Sequence, residues 1–361
     1  MSVRRRKDGR WLYDITIKRN GVVQLREKKG GHATARAARE AETARRAALL
    51  DGAPAASVKA VTFSELSTEV LVLHASVNNK ASELASKKSI FAQHLVPYFG
   101  ETPIDAIGRR EIAGYKAAKL KPVNGEGLAP KTVNNHLTVL GKSLALAVEW
   151  GRLRTAPKMG FLRVPEPTIT FLTFEEAPLL LDGADVGAWR AMILLGLRAG
   201  LRQGEILALR WPNVDLVRGA LHVREAIWRG IVGTPKGGRS REVPLSDELR
   251  AALRELPSRF AGGLVFPAEG GRHLRKNECK WPLWRACKTA ALRRVGWHVL
   301  RHTFASHLVM RGVSLKAVQE LLGHKDIKMT MRYAHLAPGI TRDAVALLDS
   351  PAITAKKEGA R

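Results

Sequence analysis

The chain has 361 residues, 45% of them hydrophobic, so we expect two or three folded domains with sizeable cores rather than a disordered protein. Its 60 Lys and Arg outnumber its 33 Asp and Glu, and the formal net charge of +27 predicts a polyanionic partner, most commonly nucleic acid, with a membrane surface as the alternative. The sequence has no apolar run long enough to cross a membrane, no apolar segment in the start MSVRRRKDGRW and only two cysteines, so we expect a cytoplasmic protein without a membrane partner, a disulfide framework or a bound metal.

Residues 1–58 form a basic first part in which apolar and polar residues alternate from Trp11 to Ile17. Alternation is typical of a strand and Asn20-Gly21 is a strong hairpin signal, so we predict a three-stranded β-ribbon followed by a helix from Thr34 to Leu50. A ribbon with exposed cations can enter a DNA groove, and a solvated small sheet is the alternative. The candidate DNA-binding residues here are Arg4, Arg5, Arg6, Lys18 and Arg19.

Residues 61–160 form a second part with helical periodicity. Thr62 and Glu65 match a capping box that begins the first helix. The further predicted helices are Ser82–Phe99, Gly108–Leu120 and Pro130–Trp150. We therefore predict a helical module, in which Lys131 is a candidate DNA-binding residue.

Residues 168–350 form the third and largest part, and residues 351–361 form a C-terminal tail. In the third part we predict helices over Ala188–Leu197 and Gly204–Trp211, a β-hairpin around Leu221–Leu245, and further helices towards the C-terminus. The fold class expected for the whole chain is therefore mainly α with small β elements.

Two stretches of the third part place charged residues beside predicted turns. In AGLRQGEILALRW, Arg202 and Glu205 are three residues apart on one helical face, where the carboxylate can hold the guanidinium; a purely structural ion pair is the alternative. In GTPKGGRSREVPL, Lys236 lies in a predicted Gly-rich hairpin tip with Arg239 nearby. Most lysines in such tips are simply solvated, so this stretch alone is a weak signal.

Two further stretches add histidines, an arginine and a tyrosine. In HVLRHTFASHL, His298 and Arg301 share a helix face and can form an anion site; a zinc site of His298 and His302 is the alternative, but it lacks a third ligand. In SLKAVQELLGHKDIKMTMRYAH, His324 follows a helix that should end at Gly323, and Tyr333 follows nine residues later. Met329 and Met331 are expected to pack and seat the short helix that carries Tyr333.

These side chains suit one reaction. Arginine forks can bind the oxygens of a phosphate, histidines can donate hydrogen bonds or move protons, and a lysine can protonate a leaving alkoxide. A tyrosine becomes a nucleophile when nearby cations lower the cost of ionising its phenol. The set needs no metal and no other cofactor. The chemistry that fits is attack of a tyrosine on a DNA phosphodiester.

In this order, the stretches resemble the tyrosine recombinases of the phage integrase family over about residues 170–340. The family pattern is an arginine in a G-L-R-x-x-E turn, a hairpin lysine, H-x-x-R, L-G-H and a downstream Y-x-H. The matching catalytic residues are Arg202, Lys236, His298, Arg301, His324 and Tyr333, with Glu205 and His335 in support. Ala199 stands where a threonine is common in the family.

The resemblance implies a mechanism and an assembly. Tyr333 would attack the scissile phosphate and form a 3′-phosphotyrosine, Lys236 would protonate the leaving 5′ oxygen, and His298 would be a candidate acceptor of the Tyr333 proton. Family members act on double-stranded DNA as tetramers, and accessory bending or directionality proteins are further candidate partners. The first part would be an arm-type DNA-binding domain, and the second a helical core-binding domain that forms a clamp with the catalytic domain.

The resemblance also sets the biological alternatives. An arm-like ribbon favours the integrase of a phage or other mobile element over a recombinase that resolves chromosome dimers, which typically lacks one. A type IB topoisomerase would share the chemistry without strand exchange. A catalytically inactive DNA-binding regulator derived from an integrase is the alternative from another class, and an intact set of six residues argues against it.

Overall fold

The computed structural model of the chain describes residues 3–19, 22–50, 61–121, 127–165, 168–235 and 237–337, without the side chains of residues 17–19, 22–25 and 48–50. The chain divides into two compact units, Met1–Val164 and Pro165–Arg361. Helices dominate and the sheets are small, which confirms the predicted fold class. No helix in the described ranges is long and apolar enough to cross a membrane. The predicted tail, residues 351–361, lies outside these ranges.

The first unit begins with the predicted three-stranded sheet. Its antiparallel strands are β1 (Val3–Arg5), β2 (Trp11–Arg19) and β3 (Val22–His32), in the order β1-β2-β3, and helix α1 (Ala35–Leu50) follows. The alternation in β2 buries Tyr13 and Ile15. It places Asp14 within reach of Arg4 and Arg26. The turn residues Asn20 and Gly21 lie outside the described ranges.

The second part of this unit is the predicted helical module. Its helices are α2 (Phe63–Glu69), α3 (Ser76–Asn78), α4 (Ala81–Ile90), α5 (Val96–Phe99), α6 (Arg109–Leu120) and α7 (Pro130–Glu149), with π-helical turns at Val70–Ala75 and Phe91–Leu95. The reciprocal Thr62 and Glu65 hydrogen bonds confirm the capping box. The helix predicted over Ser82–Phe99 is continuous but contains the second π-helical turn. Apolar residues of α7, such as Leu137 and Leu144, complete one shared core.

The second unit is a helical bundle with two small sheets. Its helices are α8 (Glu176–Asp182), α9 (Ala188–Arg198), α10 (Gln203–Leu207), α11 (Asp247–Arg254), α12 (Lys280–Thr289), α13 (Trp297–Met310), α14 (Leu315–Leu322) and α15 (Lys328–Met331). Its strands are β4 (Val214–Asp215), β5 (Ala220–Val223), β6 (Ala226–Trp228), β7 (Ile231–Gly233) and β8 (Arg241–Pro244). Strands β4, β5 and β8 form one antiparallel sheet, and β6 and β7 form a hairpin.

Two predicted elements of this unit differ in the structure. The helix expected over Gly204–Trp211 ends at Leu207, because Arg210 bridges to Leu264 and Pro212 is incompatible with a continuing helix. The predicted single hairpin is divided: β5 pairs with β8, and the inserted β6–β7 hairpin turns between Trp228 and Ile231. Lys236, which the sequence places in a hairpin tip, lies outside the described residues.

Candidate active site

The turn between α9 and α10 positions the first candidate residue. Gly200 has a φ of +62°, and a Cβ there would overlap the ring of Phe304, so glycine is required for the close approach. Arg202 follows, and both its backbone N–H and its Nη1 donate to Glu205, at 2.9 and 2.8 Å. Glu205 thus caps α10 and holds the guanidinium, as predicted. The Arg202 side chain remains 15% exposed, so it is not completely closed off from solvent.

Arg241 is a second partner of Glu205 that the sequence did not reveal. It donates from Nη2 to Oε2 of Glu205 at 2.7 Å and from Nε to the Leu321 carbonyl oxygen at 2.8 Å. Burial alone would raise the pKa of Glu205, but the hydrogen bond and charge of Arg241, with the charges of Arg202 and Arg301, lower it to about 2. The carboxylate is therefore a fixed anion between several cations, linking α10, β8 and the end of α14.

Arg301 crosses the site from helix α13. It is 3% exposed and donates from Nη1 to the Gly200 carbonyl oxygen at 2.6 Å and from Nη2 to the Leu322 carbonyl oxygen at 2.7 Å. These bonds join the α9–α10 turn to the end of α14. Burial and the nearby Arg202 lower the pKa of Arg301 to about 9, so it is a cation at neutral pH. Its orientation is fixed before any ligand binds.

His324 lies directly after helix α14. As predicted, Gly323 ends this helix in the left-handed conformation, with φ 64° and ψ 43°. The His324 ring lies with Nδ1 2.9 Å from Oγ1 of Thr330. Burial and the charges of Arg301 and Arg202 lower the pKa of His324 to about 3, so its imidazole is neutral at physiological pH. A neutral imidazole here can donate one hydrogen bond to a ligand.

Tyr333 is buried beside these residues. Its side chain is 1% exposed and packs in a cluster with Phe304, Ala305, Val309, Val318 and Leu322. Its hydroxyl lies 2.6 Å from Nδ1 of His302, a contact that the sequence analysis missed. Burial raises the pKa of the Tyr333 phenol, whereas the charges of Arg301, Arg332 and Arg202 oppose that increase. Arg202 and Arg301 are therefore close enough to influence the ionisation of the phenol.

The expectation for the two methionines near Tyr333 was wrong. Met329 and Met331 are 43% and 51% exposed, whereas Thr330 between them is buried. Thr330 in α15 and Tyr333, two residues after the helix ends, face inward, where their side chains contact His324 and His302. The methionines consequently face outward.

The remaining candidates lie at the surface or outside the described residues. His298 is exposed on α13, with its ring centroid 5.7 Å from that of His302, and His335 is also exposed. Lys236 and the side chains of Lys18 and Arg19 are not described. The exposed candidates for DNA binding are Arg4, Arg5, Arg6, Lys131 and Arg239. The described ranges contain no group of three or more His, Cys, Asp or Glu residues that could hold a metal ion.

The chain is similar in sequence to known proteins. Residues 170–339 match the Phage integrase family. The Tyrosine recombinase XerC of Xanthomonas campestris pv. campestris strain B100 is 32% identical over 246 residues, which cover 64% of this chain and 73% of XerC. The XerC of Xylella fastidiosa strain 9a5c is 30% identical over 248 residues, 64% of this chain and 77% of that protein.

Solved structures show the same fold at lower identity. The Tn1549 transposon integrase in complex with transposon right end DNA has a TM-score of 0.68 and 20% identity, over 80% of this chain and 99% of that chain. A lambda integrase dimer bound to a core site has a TM-score of 0.59 and 20% identity, over 92% of this chain and 94% of that chain. With the family match and the XerC identity, the chain belongs to the phage integrase family of tyrosine recombinases and is a site-specific recombinase.

Proposed function

We propose that the chain cuts and rejoins double-stranded DNA at a specific site through a 3′-phosphotyrosyl bond to Tyr333. The observation that supports this most is the convergence of Arg202, Arg301 and His324 around a buried tyrosine whose hydroxyl already has a hydrogen-bond partner. A phosphodiester can bind to the arginines, and their fixed charge stabilises both the phenolate and the transition state.

Each group has a role that its contacts support. Arg301 uses two of its five N–H donors on carbonyl oxygens, which leaves others for a phosphate oxygen. Arg202 offers the exposed part of its guanidinium, and His324 offers one neutral donor. His298 lies at the surface of α13, where a DNA backbone can reach it. By the family resemblance, Lys236 protonates the leaving 5′ oxygen.

The biological context that we favour is integration or excision of a phage or other mobile element by a tetramer on attachment sites. The N-terminal sheet supports this assignment, because it carries exposed arginines and precedes the helical module. The fold shared with the Tn1549 and lambda integrases also supports it, as does the net charge of +27. The three modules would be the arm-type domain at 1–58, the core-binding domain at 61–160 and the catalytic domain at 168–350.

Similarity to the XerC recombinases favours a second candidate, the resolution of chromosome dimers. Deletion of the gene separates the two candidates. A mobile-element integrase is required for circular element DNA to form, and cell division is otherwise normal in its absence. Loss of a dimer-resolving enzyme instead produces filamentous cells with unsegregated chromosomes while any element still excises.

The chemical proposal is tested with nicked duplexes tiled across the DNA that flanks the gene. A nick beside the scissile phosphate lets a short 5′-hydroxyl fragment diffuse away, so the covalent protein–DNA adduct accumulates. Wild type should form an adduct with one duplex, and Tyr333→Phe should bind that duplex equally well without forming it. An adduct that persists in Tyr333→Phe would exclude Tyr333 as the nucleophile, and DNA binding without any wild-type adduct would indicate an inactive regulator.

A further inference from the structure

We propose that His302 is a further catalytic residue, the base that takes the Tyr333 phenol proton during cleavage and returns it during rejoining. This inference rests on the proposed function of Tyr333 and deepens it. It assigns to His302 the proton transfer for which the sequence offered His298 as the candidate.

The geometry that supports this assignment is direct contact with the reacting oxygen. His302 Nδ1 lies 2.6 Å from the Tyr333 hydroxyl, a short distance for a hydrogen bond. The two ring centroids are 5.9 Å apart and the rings are tilted by 52°, so the contact is between edges and not a stack. The phenol is almost completely buried, and in the described part of the chain the hydrogen-bond partner of its hydroxyl is His302. We assign the acceptor role to Nδ1 of that ring.

The protonation state of His302 suits a base. When Nδ1 of a neutral imidazole accepts the phenol proton in a hydrogen bond, its own proton is on Nε2. Burial, then the charges of His298, Arg332 and Arg301, lower the pKa of His302 to about 4. The ring is therefore neutral throughout the physiological pH range, and the Nδ1 lone pair can take the phenol proton.

The same charges restrict proton transfer to the DNA-bound state. Burial and then the charges of His298, Arg332 and Arg301 disfavour an imidazolium at position 302. A phosphodiester bound to Arg301 brings a negative charge that offsets this repulsion and raises the basicity of His302. Arg301 is close enough to His302 for its charge to contribute to the low pKa of the imidazole, so the phosphate-binding group and the base are electrostatically linked. The base therefore becomes effective when the scissile phosphate is in place.

The proposed step balances in atoms and charge. The Tyr333 O–H bond breaks and its proton moves to Nδ1 of His302 as the phenol oxygen bonds to phosphorus. The bond from phosphorus to the 5′ oxygen breaks, and that oxygen leaves with the electron pair and is protonated by an acid on the other side of the phosphate. In rejoining, a 5′-hydroxyl attacks phosphorus and gives its proton to the group that acted as the acid in cleavage, the phosphorus–phenol bond breaks, and the His302 imidazolium returns its proton to the Tyr333 oxygen.

The test uses His302→Asn in the full-length chain. Asparagine can place an acceptor oxygen near the position of Nδ1 but cannot take a proton, so it separates orientation from base catalysis. The matched control is His222→Asn, because His222 is a half-buried histidine of the same unit whose partner is Glu242. The substrate is the nicked duplex that traps the wild type, and the readout is the single-turnover rate of adduct formation from pH 6 to 9.

We expect His302→Asn to bind this duplex with wild-type affinity and to form the adduct about 100-fold more slowly at pH 7, a usual effect of losing a general base. The wild-type rate should depend on pH much less steeply than the rate of the variant, because His302 takes the phenol proton within the bound complex. The rate of the variant should rise about tenfold per pH unit, because phenolate must then form by equilibrium with the solvent. His222→Asn should behave as wild type.

Two results would overturn the inference. The first is a His302→Asn rate that matches the wild type with the same pH profile. The second is a wild-type rate of adduct formation by His302→Asn on a duplex with sulfur in place of the 5′-bridging oxygen. Sulfur leaves without being protonated, so this result would mean that His302 acts on the leaving group and not on Tyr333. If His302→Asn does not fold, His302→Gln is measured in the same way. Absence of any wild-type adduct would contradict the proposed function itself, and the inference would fail with it.

Discussion

Glu205 is the residue on which the geometry of the candidate site depends most. It accepts hydrogen bonds from Arg202 and Arg241, and its side chain is completely buried. A buried charge without a partner raises the free energy of the folded state. Loss of the carboxylate would leave the guanidinium groups of Arg202 and Arg241 without their anionic partner. The phosphate-binding role of Arg202 and the stability of the unit are therefore coupled through one acid.

The stability of Glu205→Gln should show a characteristic pH dependence. The folded pKa of Glu205 is lowered from 4.5 to about 2, so its ionisation contributes about 3 kcal/mol above pH 4.5 and this contribution is lost as the pH falls towards 2. The variant should therefore unfold more easily by about 3 kcal/mol at pH 7, and its difference from the wild type should shrink between pH 5 and 2. Urea unfolding followed by tryptophan fluorescence measures this, because six of the eight tryptophans lie after residue 165. A difference that is constant with pH would contradict it.

Arg202→Lys tests whether the reaction needs the planar guanidinium group of Arg202. Lysine keeps the charge but cannot hold Glu205 and a phosphate oxygen with parallel donors. We expect DNA affinity to change little and the rate of adduct formation to fall about 100-fold. Arg198→Lys is a suitable control, because Arg198 pairs with Glu248 and is not among the arginines that affect the pKa of Tyr333. A near-normal rate for Arg202→Lys would remove Arg202 from the reaction.

The sequence predicted the individual reactive residues better than their partners. Arg202 and Glu205 are near in sequence, so their pairing followed from helical spacing. Arg241 is 36 residues from Glu205 and His302 is 31 residues from Tyr333, so these contacts depend on tertiary packing. The sequence did contain a signal that Arg241 faces inward. Arg241 is two residues before the buried Val243 on β8, and residues two apart on a strand share one face of the sheet.

At the level of elements, the ends of helices bring the site together. The end of α14 supplies the Leu321 and Leu322 carbonyl oxygens to Arg241 and Arg301, and the following residues supply His324. Capping rules predicted this end at Gly323 because they depend on local backbone chemistry. The early end of α10 and the divided hairpin were not predicted, since they depend on pairing with distant residues such as Leu264.

Gly323→Ala should disturb this junction. Its φ is +64°, and a Cβ would lie 2.9 Å from Cδ of Arg241. We expect a loss of about 1 kcal/mol from the backbone strain and a slower rate of adduct formation, because Arg241, which bonds to Glu205, must shift to make room. Gly312→Ala is the control, since Gly312 has a φ of +81° with open space around its Cβ position. Equal rates for both variants would show that the contact with Arg241 has no role in the chemistry.

At the scale of the whole molecule, the high net charge is distributed among the modules. Residues 1–60 have a net charge of +9, residues 61–165 of +6 and the remainder of +12. A molecule that binds DNA through one module would not need this distribution. The charge predicted the partner class from the sequence, whereas the identity of the DNA site depends on contacts between side chains and bases that only a complex can reveal.

Deletion of residues 1–60 should separate two kinds of DNA binding. We expect adduct formation on the nicked duplex to be retained, because the candidate catalytic residues all lie in the second unit. Binding to flanking arm-type DNA should weaken and lose part of its salt dependence. Replacement of Arg4, Arg5 and Arg6 by alanine in the full-length chain should have the same effect on arm binding. Unchanged affinity for flanking DNA in both variants would refute the role of the sheet.

The most direct measurement is mass spectrometry of the trapped protein–DNA adduct. After digestion of the protein and the DNA, the account predicts one nucleotide-bearing peptide, with the phosphate linked through its 3′ oxygen to Tyr333. The chain has only three other tyrosines, Tyr13, Tyr98 and Tyr115, so the assignment is unambiguous. Linkage to one of these tyrosines, to another residue or through a 5′ phosphate would contradict the account.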